Sequence, residues 1–198
     1  MSNKYQDSPT WFVDPAIITT KYIQSFDREV YTERFKLNPA IKHHHRAHIN
    51  DRYAPAWKTI EFMTLGEVVY LYNSIRDQDI RREIGRHFGI RKQVIFDSYI
   101  SVIKTIRNHC AHGNILYDIS LPKSIRKGPA GQLKDTDYQK LHGAIKVIYY
   151  MVGYISINRQ NDLKKELIDL FSEYDNVPKV CETIKKATGI KNIEETLA

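Results

Sequence analysis

Residues 91–118 read RKQVIFDSYISVIKTIRNHCAHGNILYD, and this stretch decides the fold. Ile95, Tyr99, Val102, Ile103, Ile106 and Cys110 recur at intervals that place them in one apolar stripe, on a helix of about six turns at 3.6 residues each. Gly113-Asn114 is a stop signal, because both residue types tolerate the left-handed backbone in which helices end. Immediately before the stop stand Arg107-Asn108-His109-Cys110-Ala111-His112. A core helix thus carries a cation, an amide and two imidazoles to one end.

Those side chains suit phosphodiester chemistry. Arginine is a permanent planar cation that can grip a phosphate in two places, and histidine gives or takes a proton near neutral pH. Asn108 and His112, at i and i+4, share a helix face. Arg107 and His112 lie about 140° apart on a regular helix, but the last turn can splay and an arginine is long enough to reach back. Residue types and spacing alone favour a plainer reading, a polar helix end with the histidine complementing the dipole and the arginine in a surface ion pair. His109, about 100° from Asn108, could equally face solvent and is not counted as catalytic.

Outward from the motif, 198 residues suit a single domain with a real core. The chain carries 30 Lys+Arg against 23 Asp+Glu, a formal charge of +7. That balance favours an anionic partner such as nucleic acid, although ordinary soluble proteins share it. Two distant cysteines, Cys110 and Cys181, form neither a disulfide framework nor a zinc spacing. The longest apolar run, Val147 to Ile157, holds Gly153 and several tyrosines and is too short to span a bilayer. No secretory signal is visible in MSNKYQDSPTWFVDP, so a cytoplasmic protein without membrane partners is expected.

Helical signals recur along the chain. Asp14-Pro15 predicts a helix carrying Ile18, Tyr22, Phe26 and Val30, and Asn38-Pro39 predicts another start. Thr64-Leu65-Gly66-Glu67 reads as a capping box opening a helix to about Arg76, and a further helix runs from Asp77 or Gln78 to before Gly89. Residues 115–132, with Pro122, Gly128, Pro129 and Gly131 among basic residues, read as a basic loop. Helicity is expected again from Thr136 to Asn158, with Leu141, Ile145, Ile148, Val152 and Ile155 buried, then from Asp162 to Tyr174 and from Val177 to Thr188. With no strand or repeat in the pattern, the fold class is an all-α helical bundle.

Other clusters are weaker candidates. In His43-His44-His45-Arg46-Ala47-His48, the spacing of His44, His48 and Asp51 would allow one metal-binding face, but no partner stands at a recognisable zinc spacing and no metal or other cofactor is assigned. His44 and His48 are instead candidate RNA contacts, against the alternative of solvated histidines. Lys123, Arg126, Lys127 and Lys134 are natural phosphate contacts or simply a solvated loop. Tyr117, beyond the helix end, is placed to stack on a base, whereas most other tyrosines fall on apolar stripes.

The Arg107-Asn108…Ala111-His112 core followed by Leu116-Tyr117 resembles the signature of the Abi family, the AbiD/AbiF-like abortive-infection proteins within the HEPN superfamily of ribonucleases. Trp57, Glu61, Gly66 and Leu71-Tyr72 resemble its upstream segment, and Phe88-Gly89 its small element ahead of the catalytic helix. The resemblance is best over residues 35–118, with 1–34 an N-terminal helical segment and 119–198 the basic loop and C-terminal helices. Gly113-Asn114-Ile115 and Asp118 depart from the second histidine, serine, arginine and asparagine of many relatives.

The resemblance implies a HEPN-like bundle with additional helices, and a metal-independent endoribonuclease in which the RNA 2′-hydroxyl attacks the adjacent phosphorus. Arg107, Asn108 and His112 are then catalytic: His112 as general base or acid, Arg107 on the phosphate, Asn108 orienting the histidine or the scissile phosphate. It also implies a homodimer with two motifs lining one cleft, a phage-defence role, and for some members control by a structured small RNA. Two rivals stand beside it: a non-catalytic HEPN protein that docks a structured RNA, and a helical interaction protein whose histidines are structural.

Overall fold

A computed structural model describes residues 8–174 and 176–197 of the chain, apart from the side chains of 135 and 136. The described residues are helical with no strand, so the all-α expectation holds; a lone bridge pairs Ile18 with Ile75. The chain divides into two compact units, 1–83 and 84–198.

The first unit is built on aromatic rings. Phe12, Tyr22, Phe26 and Tyr31 are buried, and Phe26 stands 5.3 Å from Phe12, 5.7 Å from Tyr22 and 5.5 Å from Tyr31 between ring centres. Such rings combine large apolar burial with directional edge and face contacts. Asp14-Pro15 does not begin a helix. Residues 14–17 form a turn, Ile18 joins the bridge, and helix α1 (Thr20–Ser25) starts later and loosens into a π-helical turn at Phe26–Val30. The Asp14 carboxylate accepts from the Ala16 amide at 2.8 Å, a local bond that competes with helix.

After α2 (Glu33–Lys36), α3 (Pro39–Ala47) begins with Pro39 in its first turn as expected. After α4 (Ala56–Thr59), Thr64 caps α5 (Leu65–Asn73): its hydroxyl accepts from the Glu67 amide, and the Glu67 carboxylate accepts from the Thr64 amide at 2.6 Å. α6 (Gln78–His87) follows.

In the second unit the motif helix α7 (Gln93–Ala111) packs on α8 (Leu141–Ile155), which packs on α9 (Ile157–Ser172). The expected helix to Asn158 breaks at Ser156, an extended residue whose hydroxyl accepts from the Arg159 amide and caps α9. Within α8 the buried residues are Gly143, Ala144, Ile145, Val147 and Met151, whereas Ile155 is exposed. The buried face is therefore rotated from the predicted stripe, because Gly143 lets another chain segment approach closely: a Cβ there would lie 2.2 Å from the Asp137 carbonyl oxygen. α10 (Pro178–Thr188) and the unforeseen α11 (Ile193–Thr196) complete the unit, with Ile145, Ile190, Ile193 and Leu197 as a buried cluster.

Candidate functional site at the end of the motif helix

α7 is held by Phe96, Tyr99, Val102 and Ile106, all buried. Three positions of the predicted stripe are corrected: Ile95 and Ile103 are only partly buried, and Cys110 is exposed. His109 takes the inner side instead. It lies three residues beyond Ile106, half-buried, with Nδ1 enclosed and without a hydrogen-bond partner among the described residues. The spacing from Val102 and Ile106 carried that signal, which the polarity of histidine masked.

The helix ends where expected. Asn114 donates its amide to the His109 carbonyl at 2.8 Å and Gly113 donates to Cys110 at 3.2 Å, with Gly113 at φ +65°. This paired reverse turn satisfies carbonyls that a helix end leaves orphaned. His112 is the cap residue, and its amide still donates to the Asn108 carbonyl at 3.1 Å. Arg107 Nη1 donates to Asn108 Oδ1 at 3.3 Å. Arg107 and His112 are exposed and Asn108 half-buried. The structure thus joins Arg107 to Asn108 and keeps His112 on the next turn above Asn108. Among the described residues no hydrogen bond links Arg107 with His112.

Residues 115–132 form a strap rather than a free loop. Ile119, Leu121 and Ile125 are buried, the Leu121 and Ile125 amides each donate at 2.8 Å to the carbonyls of Gln139 and Tyr138, and the Arg126 amide donates to Ser98 Oγ at 3.0 Å. Farther along, the Ala130 amide donates to the Tyr99 hydroxyl at 3.1 Å. Lys123, Arg126 and Lys127 are exposed on this strap. Between it and α7 lies a groove of about 640 Å³ whose helix wall includes Ser98, Ser101 and Thr105. Steps of three and four carry that wall to Asn108 and His112, so the groove follows the helix face that ends at the motif. These hydroxyls were not singled out from the sequence, although their helical spacing is visible there.

Tyr117 is exposed and lines a 520 Å³ pocket with Asp118, Lys140, Glu182, Thr183 and Lys186. Asp118 adopts φ +52°, rare for a non-glycine residue, and its carboxylate pairs with Lys140 at 2.5 Å.

The histidine run lies in the first unit. His44 is buried, its Nε2 3.0 Å from Asp51 Oδ2 and its ring 4.7 Å from that of His48 in a stacked arrangement. Burial pushes the His44 pKa below the usual histidine value, and the neighbouring His48 adds to this against the opposing pull of Asp51. His45 Nε2 is 2.9 Å from the Tyr31 hydroxyl, which accepts the buried Ala54 amide at 2.6 Å. His48 is exposed, so of the two candidate RNA contacts here only His48 presents itself at the surface. Among the described residues no three His, Cys, Asp or Glu side chains are grouped to hold a metal ion, and no helix is long and apolar enough to cross a membrane.

A family model described as Abi-like protein matches residues 1–118, a span that ends six residues beyond His112. No curated protein and no solved structure matches the chain.

Proposed function

The chain belongs to the Abi-like protein family, and from that premise we propose that it is a metal-independent endoribonuclease of an abortive-infection phage-defence system. The observation that carries the reading is the end of α7, where the Arg107–Asn108 pair and His112 stand at the surface on adjoining turns.

The chemistry needs a proton taken from the 2′-hydroxyl, charge held on the phosphoryl oxygens, and a proton given to the departing 5′-oxygen. The 2′-oxygen forms its bond to phosphorus as the bond from phosphorus to the 5′-oxygen breaks, leaving a 2′,3′-cyclic phosphate and a 5′-hydroxyl. His112 makes one of the proton transfers. Arg107 grips the non-bridging oxygens, with its guanidinium oriented by Asn108. One imidazole in one place cannot serve both oxygens, so the reading includes a homodimer in which a second copy supplies the other. The exposed Lys123, Arg126 and Lys127 and the pocket at Tyr117 would take backbone and base, and the basic balance suits a structured regulatory RNA as a partner in the cytoplasm.

The test is incubation of the full chain with mixed RNA in EDTA, beside Arg107→Ala and His112→Ala. Cleavage by the wild type that disappears in both folded variants supports the reading, and cleavage surviving in both overturns it. Salt-sensitive binding without cutting would favour the non-catalytic RNA-docking protein instead.

A further inference from the structure

A second basic site lies beyond the region that the family model covers. We infer that the pocket walled by Lys134, Lys146, Lys185 and Lys191 binds a ligand carrying clustered phosphates. The pocket encloses about 530 Å³, within the range of small-ligand sites. Its lysines come from separate places in the chain: Lys134 from just beyond the strap, Lys146 from α8, Lys185 from the last turn of α10, and Lys191 from the connection to α11.

Charge accounting sets this pocket apart. Among the described residues none of the four ammonium groups has an ion pair or a hydrogen bond, although elsewhere Lys36 and Lys140 pair with carboxylates. Two acidic residues line the same space. Asp137 Oδ2 lies 3.2 Å from His142 Nδ1 and accepts the Lys134 amide at 3.3 Å, so with Glu195 two carboxylates stand against four cations. Ammonium groups gathered this way repel one another unless an anion sits between them.

Two backbone features build the enclosure. Gly131, at φ +101°, passes so close to Lys146 that a Cβ there would lie 2.8 Å from the lysine Cε, so the strap covers the aliphatic stem of a half-buried lysine. Gly189, at φ +80°, ends α10 and turns the chain so that Lys185 and Lys191 flank one opening. Lysine ammoniums act as point charges, which suits several phosphate groups better than the planar recognition of one carboxylate. Those phosphates belong either to an RNA backbone or to a free polyphosphate such as a nucleotide. The inference is independent of cleavage at His112.

Binding of the full chain to a 2′-O-methyl RNA oligomer, which has no 2′-hydroxyl to attack, and separately to ATP and inorganic pyrophosphate tests it. The variants are Lys146→Gln with Lys191→Gln, Lys185→Gln alone in case the half-buried lysine matters for folding, and a control with Lys165→Gln and Lys179→Gln on exposed helix faces. Affinity for at least one probe should fall about tenfold or more in the pocket variants and little in the control. If the oligomer loses affinity, with a shallower salt dependence, the source is an RNA backbone. If only ATP or pyrophosphate does, it is a free polyphosphate. The inference is overturned if no probe binds, or if pocket and control variants behave alike.

Discussion

The two histidine clusters show how the same side chain is spent in opposite ways. In the first unit His44 is enclosed against Asp51 and His48, and His45 meets the Tyr31 hydroxyl, which itself accepts the buried Ala54 amide. At the end of α7, His112 stands exposed on a turn whose backbone bonds are satisfied by Gly113 and Asn114 rather than by the imidazole. An imidazole committed to burial and to partners contributes to stability. One carried on a self-sufficient backbone turn is free to exchange protons with a ligand. Removing members of the first cluster should therefore cost stability, and removing His112 should cost activity alone.

The largest effect is expected at the exposed end. His112→Ala should lower RNA cleavage by about 10²–10⁴-fold, the usual worth of a positioned general acid or base, while its thermal midpoint stays with that of the wild type. A variant that unfolds early would mean that the two clusters are alike after all. In the first unit, Tyr31→Phe removes the acceptor of the Ala54 amide, at a residue that is 0% exposed. An orphaned buried donor costs about 1–3 kcal/mol. Urea titration should show that loss, with cleavage per folded molecule unchanged, and an unaltered midpoint would remove Tyr31 from the supporting network.

Gly113→Ala probes the turn between helix and site. Gly113 has φ +65° and open space within 4 Å of a built Cβ, so the expense is backbone conformation alone, about 1 kcal/mol. Gly89, at a similar φ of +67°, would set its Cβ 2.0 Å from the Tyr154 hydroxyl oxygen, so Gly89→Ala should unfold at distinctly lower urea than Gly113→Ala. Equal midpoints would show that Tyr154 moves aside freely.

What could be read from the sequence was mostly local. Pro39 opening α3, the Thr64–Glu67 box and the Gly113-Asn114 stop each act within a few residues, and each stands where its pattern put it. Ser156 was missed because one extended residue between two apolar runs leaves their periodicity almost intact. Burial of polar side chains was harder still. His44 is buried and His109 half-buried, and nothing in the histidine run separates His44, which lies inside, from His43 and His48, which do not. At the candidate site, the helix end that carries Arg107, Asn108 and His112 was legible. The groove wall of Ser98, Ser101 and Thr105 needed the strap to be placed first.

The smallest expected effect concerns acid. Because burial holds the His44 pKa below about 6.5, the ordinary value for an exposed histidine, the unfolded chain binds more protons than the folded one between the two values. The stability that His44 contributes as a neutral ring is therefore complete above about pH 6.5 and is lost as pH falls through the folded value. Denaturant midpoints measured from pH 7.5 down to 5 should decline more steeply for the wild type than for His44→Gln, which cannot take up that proton. Asp51 favours the charged ring, so Asp51→Asn should depress the folded pKa further and extend the decline to lower pH. Parallel profiles for the wild type and His44→Gln would mean that the ring gains its proton without leaving its place, and that this cluster is less committed to structure than its burial implies.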